Sequence, residues 1–206
     1  MSINLSLMYL SSISLKYSNN CSYELERANT LLSKYGLNGK DPCQIAIDLH
    51  TTTASMGSSL VIYGRRPVDL ALASLLQNRL GLPVYLHQND PKQKGFLVEA
   101  WPCGLVIEIG AVAQNFYDQK IINRFLIILS SLKEEISNLK NNLIELPREL
   151  TIHVHQRSID YPRDKRGNIN GLIHPERMNQ DWKPIKKGDP LFLDIKGNVI
   201  QYDGGE

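Results

Sequence analysis

Cysteine is scarce in this chain of 206 residues: Cys21, Cys43 and Cys103 stand apart, with no C-x-x-C pair among them. Three scattered thiols build neither a disulfide framework nor a cysteine-held zinc, so the expected compartment is reducing and the protein reads as cytoplasmic. Long apolar runs are missing as well. None approaches the ~18 residues of a membrane span, and the apolar, serine-rich start lacks a basic segment and a small-x-small cleavage site, so no membrane partner is expected. Charge of one sign is also absent. The 23 basic and 21 acidic residues leave a formal +2 and are scattered rather than striped, which argues against nucleic acid as a partner.

What is present is enough apolar material for a real core, 42% of residues. Leu25, Ala28, Leu31, Leu32 and Tyr35 share one face of a helix over 23–35, with Ser22 as N-cap, Glu24 and Glu26 in the first turn and Gly36 past the end. Strands follow at 45–50 and 60–63, and Pro67 opens a helix that stops at Gly81. Strands are expected again at 83–87, 96–100 and 105–109, and a long amphipathic helix runs from Ile121 to near Asn142. Strands separated by helices predict a mostly parallel or mixed sheet flanked by helices, with ligands beyond the carboxyl ends of its strands. From Pro147 the pattern changes to alternation at 150–155, a strand at 190–194 and a Lys196-Gly197-Asn198 turn. We therefore divide the chain into an α/β domain over 1–146 and a small β-rich C-terminal domain over 147–206.

Two strands carry ionisable groups where burial is costly unless the group is paired or in use. In Ile45-Ala46-Ile47-Asp48-Leu49-His50 the period of two puts Asp48 and His50 on one face. That pairing suits a metal-binding histidine backed by a carboxylate, or a structural pair. Glu108, between Ile107 and Ile109, is placed to have a raised pKa and serve as a general base; its alternative is a carboxylate paired with arginine. Cys103 reads as a small apolar filler. His153 and His155 share a strand face and lack an evident third ligand. Arg65 and Arg66 could attract an anionic substrate or lie solvated at a helix start.

Taken in order, several motifs resemble the aspartoacylase family of zinc deacylases, in its cyanobacterial form. They are Ile47-Asp48-Leu49-His50-Thr51-Thr52-Thr53-Ala54-Ser55-Met56-Gly57, then Trp101-Pro102 with Val106-Ile107-Glu108-Ile109-Gly110, then Asp160-Tyr161-Pro162-Arg163-Asp164, and His174-Pro175 through Asp181-Trp182-Lys183-Pro184 to Gly188-Asp189-Pro190. The resemblance implies a carboxypeptidase-like α/β domain followed by a β-rich one. It implies His50 as a zinc ligand, one zinc per subunit, and Glu108 as the general acid/base. The implied reaction is hydrolysis of an N-acyl-L-aspartate of the N-acetylaspartate type to a carboxylate and L-aspartate, and the implied partner is a small anionic acyl-amino acid. A homo-oligomer stays open.

The chain departs from the family in four places. Nothing matches the N-terminal G-x-x-H-G-x-E segment that carries the family's other two zinc ligands, and catalytic zinc needs three protein ligands. Ser2-Ile3-Asn4-Leu5 stands near the place of the substrate-binding D-L-N-R segment, with Leu5 where arginine belongs. The specificity loop reads Lys92-Gln93-Lys94-Gly95-Phe96, without the tyrosine and arginine of the animal enzymes, and the chain ends before the family's C-terminal tyrosine segment. The expectation is an enzyme truncated at both ends with an incomplete metal site; the alternatives are a non-catalytic relic and a related zinc amidase for another acyl-amino acid.

Overall fold

A computed structural model of the chain describes residues 23–88, 95–113 and 115–205. Ser22, Asn4, Lys92 and Lys94 lie outside them. The elements are α1 (Tyr23–Tyr35), β1 (Ile45–Thr51), β2 (Ser58–Ile62), α2 (Pro67–Leu80), β3 (Val84–Leu86), β4 (Cys103–Ile109), α3 (Gln119–Lys140), β5 (Ile152–Val154), β6 (Gly171–Ile173), β7 (Pro190–Asp194) and β8 (Val199–Gln201).

Local chemistry explains the helix ends. Pro67 starts α2, and Gly81 ends it at φ 66°, where its N–H donates to the Gln77 carbonyl. Asp118 caps α3 by accepting from the Lys120 N–H at 2.7 Å. The segment expected as a strand at 96–100 is instead a 3₁₀ turn, Leu97–Ala100. Glu99 there accepts the Phe96 N–H at 2.9 Å, and Val98 and Trp101, three apart, both turn into the core. So short an apolar run fits either state, and the local carboxylate bond selects the turn.

Five strands form one mixed sheet in the order β1-β4-β2-β3-β5. Pairs β1–β4, β2–β3 and β3–β5 are parallel, while β2–β4 is antiparallel. Strands β1 and β4 therefore run opposite to the other three, and only these two present carboxyl ends at the His50 edge. Although β5 lies past Pro147 in sequence, it pairs with β3 in this sheet. Helices α2 and α3 cover one face, where Leu72, Leu76, Ile128 and Leu132 pack on Leu60, Ile62, Leu105 and Ile107. The other face gathers Ala46, Val61, Val98, Trp101 and Val106, with Leu32 and Tyr35 of α1 against them.

Strands β6, β7 and β8 make a separate antiparallel sheet. Two turns share the pattern Asp-x-Lys/Arg-Gly-Asn: Asp164-Lys165-Arg166-Gly167-Asn168, closed by the Arg163–Ile169 bridge ahead of this sheet, and Asp194-Ile195-Lys196-Gly197-Asn198, between β7 and β8. In each, the aspartate accepts the backbone N–H groups two and four residues on and the asparagine side chain. These bonds to the ionised form, led by the asparagine side chain, hold both carboxyls below the usual carboxylate range. Among the described residues no helix is long and apolar enough to cross a membrane.

Candidate active site

Alternation along the strands decides which side chains share the face opposite α2 and α3. Ile107 and Ile109 join the helix-side core and Val106 the other, so Glu108 lies with Val106. On β1 the same parity places Ala46, Asp48 and His50 on that face. His50 and Glu108 are register partners across the parallel β1–β4 pair, so the two predicted site residues stand side by side.

Asp48 backs the histidine: its Oδ1 lies 3.1 Å from His50 Nδ1, with both side chains largely buried. This contact raises the His50 pKa; burial opposes it, and the charges of Asp48 and Glu108 add to it. The Glu108 carboxyl is also pushed up, chiefly by burial and against the pull of His50, with Asp48 contributing further. A carboxyl raised in this way has the proton affinity of a general base.

The loop after His50 is locked to the turn after Glu108. Thr52 N–H donates to the Ile109 carbonyl, Gly110 N–H to Gly57, and Val112 N–H back to Thr52. A side chain at Gly110 has no room, because its Cβ would run into the Thr52 carbonyl oxygen. The C-terminal part holds this loop from outside: Trp182 Nε1–H donates to the Met56 carbonyl at 2.8 Å, and Ser55 bonds Asn179.

The same sheet face continues through residues that sequence reading did not join to the site. Tyr63 stacks on Phe96 with centroids 3.8 Å apart, and His87 stacks on His155 at 5.3 Å. His153 packs on the Trp182 indole. The signal was parity: Tyr85 and His87, like His153 and His155, alternate with core residues of β3 and β5. Pairing between those strands could not be read from the chain alone.

Arg66 is not available to a substrate. Its guanidinium pairs with buried Asp69 at 2.6 Å and donates to the Glu99 and Trp101 carbonyls. Arg65 donates to Gln88. Burial, with the nearby Asp69 charge, pushes the Cys103 thiol up to about 12, which makes it a core filler and no nucleophile.

Family models decide the relationship. The succinylglutamate desuccinylase/aspartoacylase catalytic domain matches residues 7–136, and the AstE/AspA barrel-sandwich hybrid domain matches residues 148–206. The chain belongs to this family. A probable aspartoacylase of Prochlorococcus marinus strain MIT 9215 is 70% identical over 187 residues, which are 91% of this chain and 62% of that protein. Another, from strain AS9601, is 68% identical over 199 residues, 94% of this chain and 66% of the relative. The chain thus spans less than two thirds of the length of the first of these relatives. Among solved structures, murine aminoacylase 3 superposes with a TM-score of 0.77 at 26% identity, covering 93% of this chain and 64% of that one. The aspartoacylase-family hydrolase fold, a mixed sheet flanked by helices with a small β sheet after it, is therefore the fold of this chain.

Among the described residues the expected zinc does not find a full donor set. Among the described residues no three His, Cys, Asp or Glu side chains form a group that could hold a metal. His50, with Nδ1 against Asp48, has the arrangement of a single ligand oriented by a carboxylate.

Proposed function

We propose that the protein is a zinc-dependent amidohydrolase acting on N-acyl-L-aspartate of the N-acetylaspartate type, with Glu108 as general base and acid. The observation that carries this reading is the register of His50 with Glu108, a histidine of metal-ligand geometry one strand away from a carboxyl of raised proton affinity. Glu108 takes a proton from the water that attacks the amide carbonyl and returns it to the leaving amine, so one group serves both halves of the reaction. His50 supplies one ligand of the proposed zinc. The described residues do not complete that site.

The kinship with probable aspartoacylases supports the aspartyl substrate, and the likeness to an aminoacylase keeps a different acyl-amino acid as the second reading. Release of free amino acid from a panel of N-acetylated amino acids tests both. N-acetylaspartate is expected to give the highest kcat/KM, and Glu108→Gln is expected to lower kcat by about a hundredfold or more. Unchanged turnover in that variant overturns the assignment of the base.

A further inference from the structure

Ser59 stands in β2 directly opposite Glu108 in the antiparallel β2–β4 pair. Leu60 and Ile62 face the helices and Val61 faces away, so Ser59 shares the Glu108 face. Directly opposed side chains in such a pair have Cβ atoms about 5 Å apart. Ser59 is 0% exposed, and its hydroxyl is buried without a hydrogen-bond partner. On its other flank β2 runs beside Pro83, whose carbonyl already accepts the Leu60 N–H and whose nitrogen carries no hydrogen. Alanine or valine would fill this position without a stranded donor, and an unmatched buried hydroxyl is costly. Its register partner across the strand pair, Glu108, carries a group with the chemistry to use that donor.

We propose that Ser59 is a positioning residue for Glu108: its hydroxyl turns to donate a hydrogen bond to the ionised carboxylate and fixes the orientation of that group. A glutamate has three side-chain torsions, and a donor on one oxygen leaves the other aimed at the reacting proton. This inference rests on the reading of Glu108 as the base. The test is made on the full chain without substrate or metal, so its outcome is independent of the activity measurements that judge that reading.

The chain is labelled with glutamate carrying 13C at Cδ, and the Glu108 signal is assigned by its loss in Glu108→Gln. Spectra are recorded at about pH 9, far above the ordinary carboxylate range. Ser59→Ala is expected to displace the Glu108 resonance by more than its linewidth, and Ser59→Thr, which keeps the hydroxyl, is expected to return it to the wild-type position. An unmoved signal in Ser59→Ala overturns the proposal, as does a displacement that threonine does not reverse, which marks a packing effect alone. The wild-type chain gives a second measurement that needs no variant to fold. A Ser59 hydroxyl proton protected from exchange and close in space to the Glu108 side chain supports the bond; failure to observe that proximity overturns it.

Discussion

Arg66 Nε lies 2.6 Å from Asp69 Oδ2, and the other oxygen of the same carboxylate accepts the Gly104 N–H at 2.9 Å. Asp69 is 1% exposed and thereby ties the start of α2 to the start of β4, the strand that carries Glu108. Asp69→Ala removes the acceptor of the Arg66 Nε–H and of the buried Gly104 N–H together. The expected cost is about 3 kcal/mol in urea unfolding, whereas Arg65→Ala is expected to stay within about 0.5 kcal/mol of the parent. Equal effects from the two substitutions would contradict this account.

Glu108 gives a pH dependence with a defined sign. Its carboxyl is raised by burial, so between the ordinary carboxylate value, about pH 4, and its higher folded value the native chain holds more protons than the unfolded one. Stability is fullest below that window and falls as pH rises through it. Glu108→Gln lacks this loss. It is expected to melt above the parent at neutral and alkaline pH, with the difference closing below about pH 4, as read by calorimetry across pH.

Zinc uptake reports how much of the metal site the chain carries. A lone histidine backed by a carboxylate binds weakly, so equilibrium dialysis of this chain is expected to show no tight stoichiometric zinc. Tight one-to-one binding abolished by His50→Ala would show that the chain holds a complete donor set.

Cys103 is expected to resist alkylation in the folded protein. With its thiol pushed up to about 12 and its side chain in the core, iodoacetamide at about pH 8 leaves it unmodified until denaturant is added, unlike a thiol of ordinary pKa. Peptide mass spectrometry of native and unfolded samples reads the difference.

The paired turns at Asp164 and Asp194 contribute in the opposite pH direction to Glu108. Their folded values lie below the ordinary range, so their contribution is present above about pH 4 and fades as pH falls through the lower folded value. Asp194→Ala is expected to lower the melting temperature at pH 6 and to converge with the parent in strong acid. A gap that persists in acid would assign the effect to packing.

The helices were legible because their ends carry their own chemistry: Pro67 and Gly81 state the limits of α2 without help from the rest of the chain. His50 and Glu108 were legible as ionisable groups in apolar strands. Their adjacency was not, since the β1–β4 register is set by backbone pairing between segments more than fifty residues apart. The reversal of β2, β3 and β5 against β1 and β4 was hidden for the same reason, as was the row of aromatic and imidazole rings reaching His155. Arg66 was left between an anion anchor and a solvated charge at a helix start, because nothing in the local sequence shows that Asp69, three residues on, is buried.

The hydrogen bonds that join the 52–57 loop to Gly110 leave the histidine and the glutamate no independent travel. Their separation is a dimension of the backbone, like the gauge of a rail track, and not a choice made by two side chains. Side-chain replacement at either position changes the chemistry while preserving the gauge. A single added methyl group at Gly110 pushes on the Thr52 carbonyl and alters the gauge while leaving the chemical identity of every reacting group unchanged.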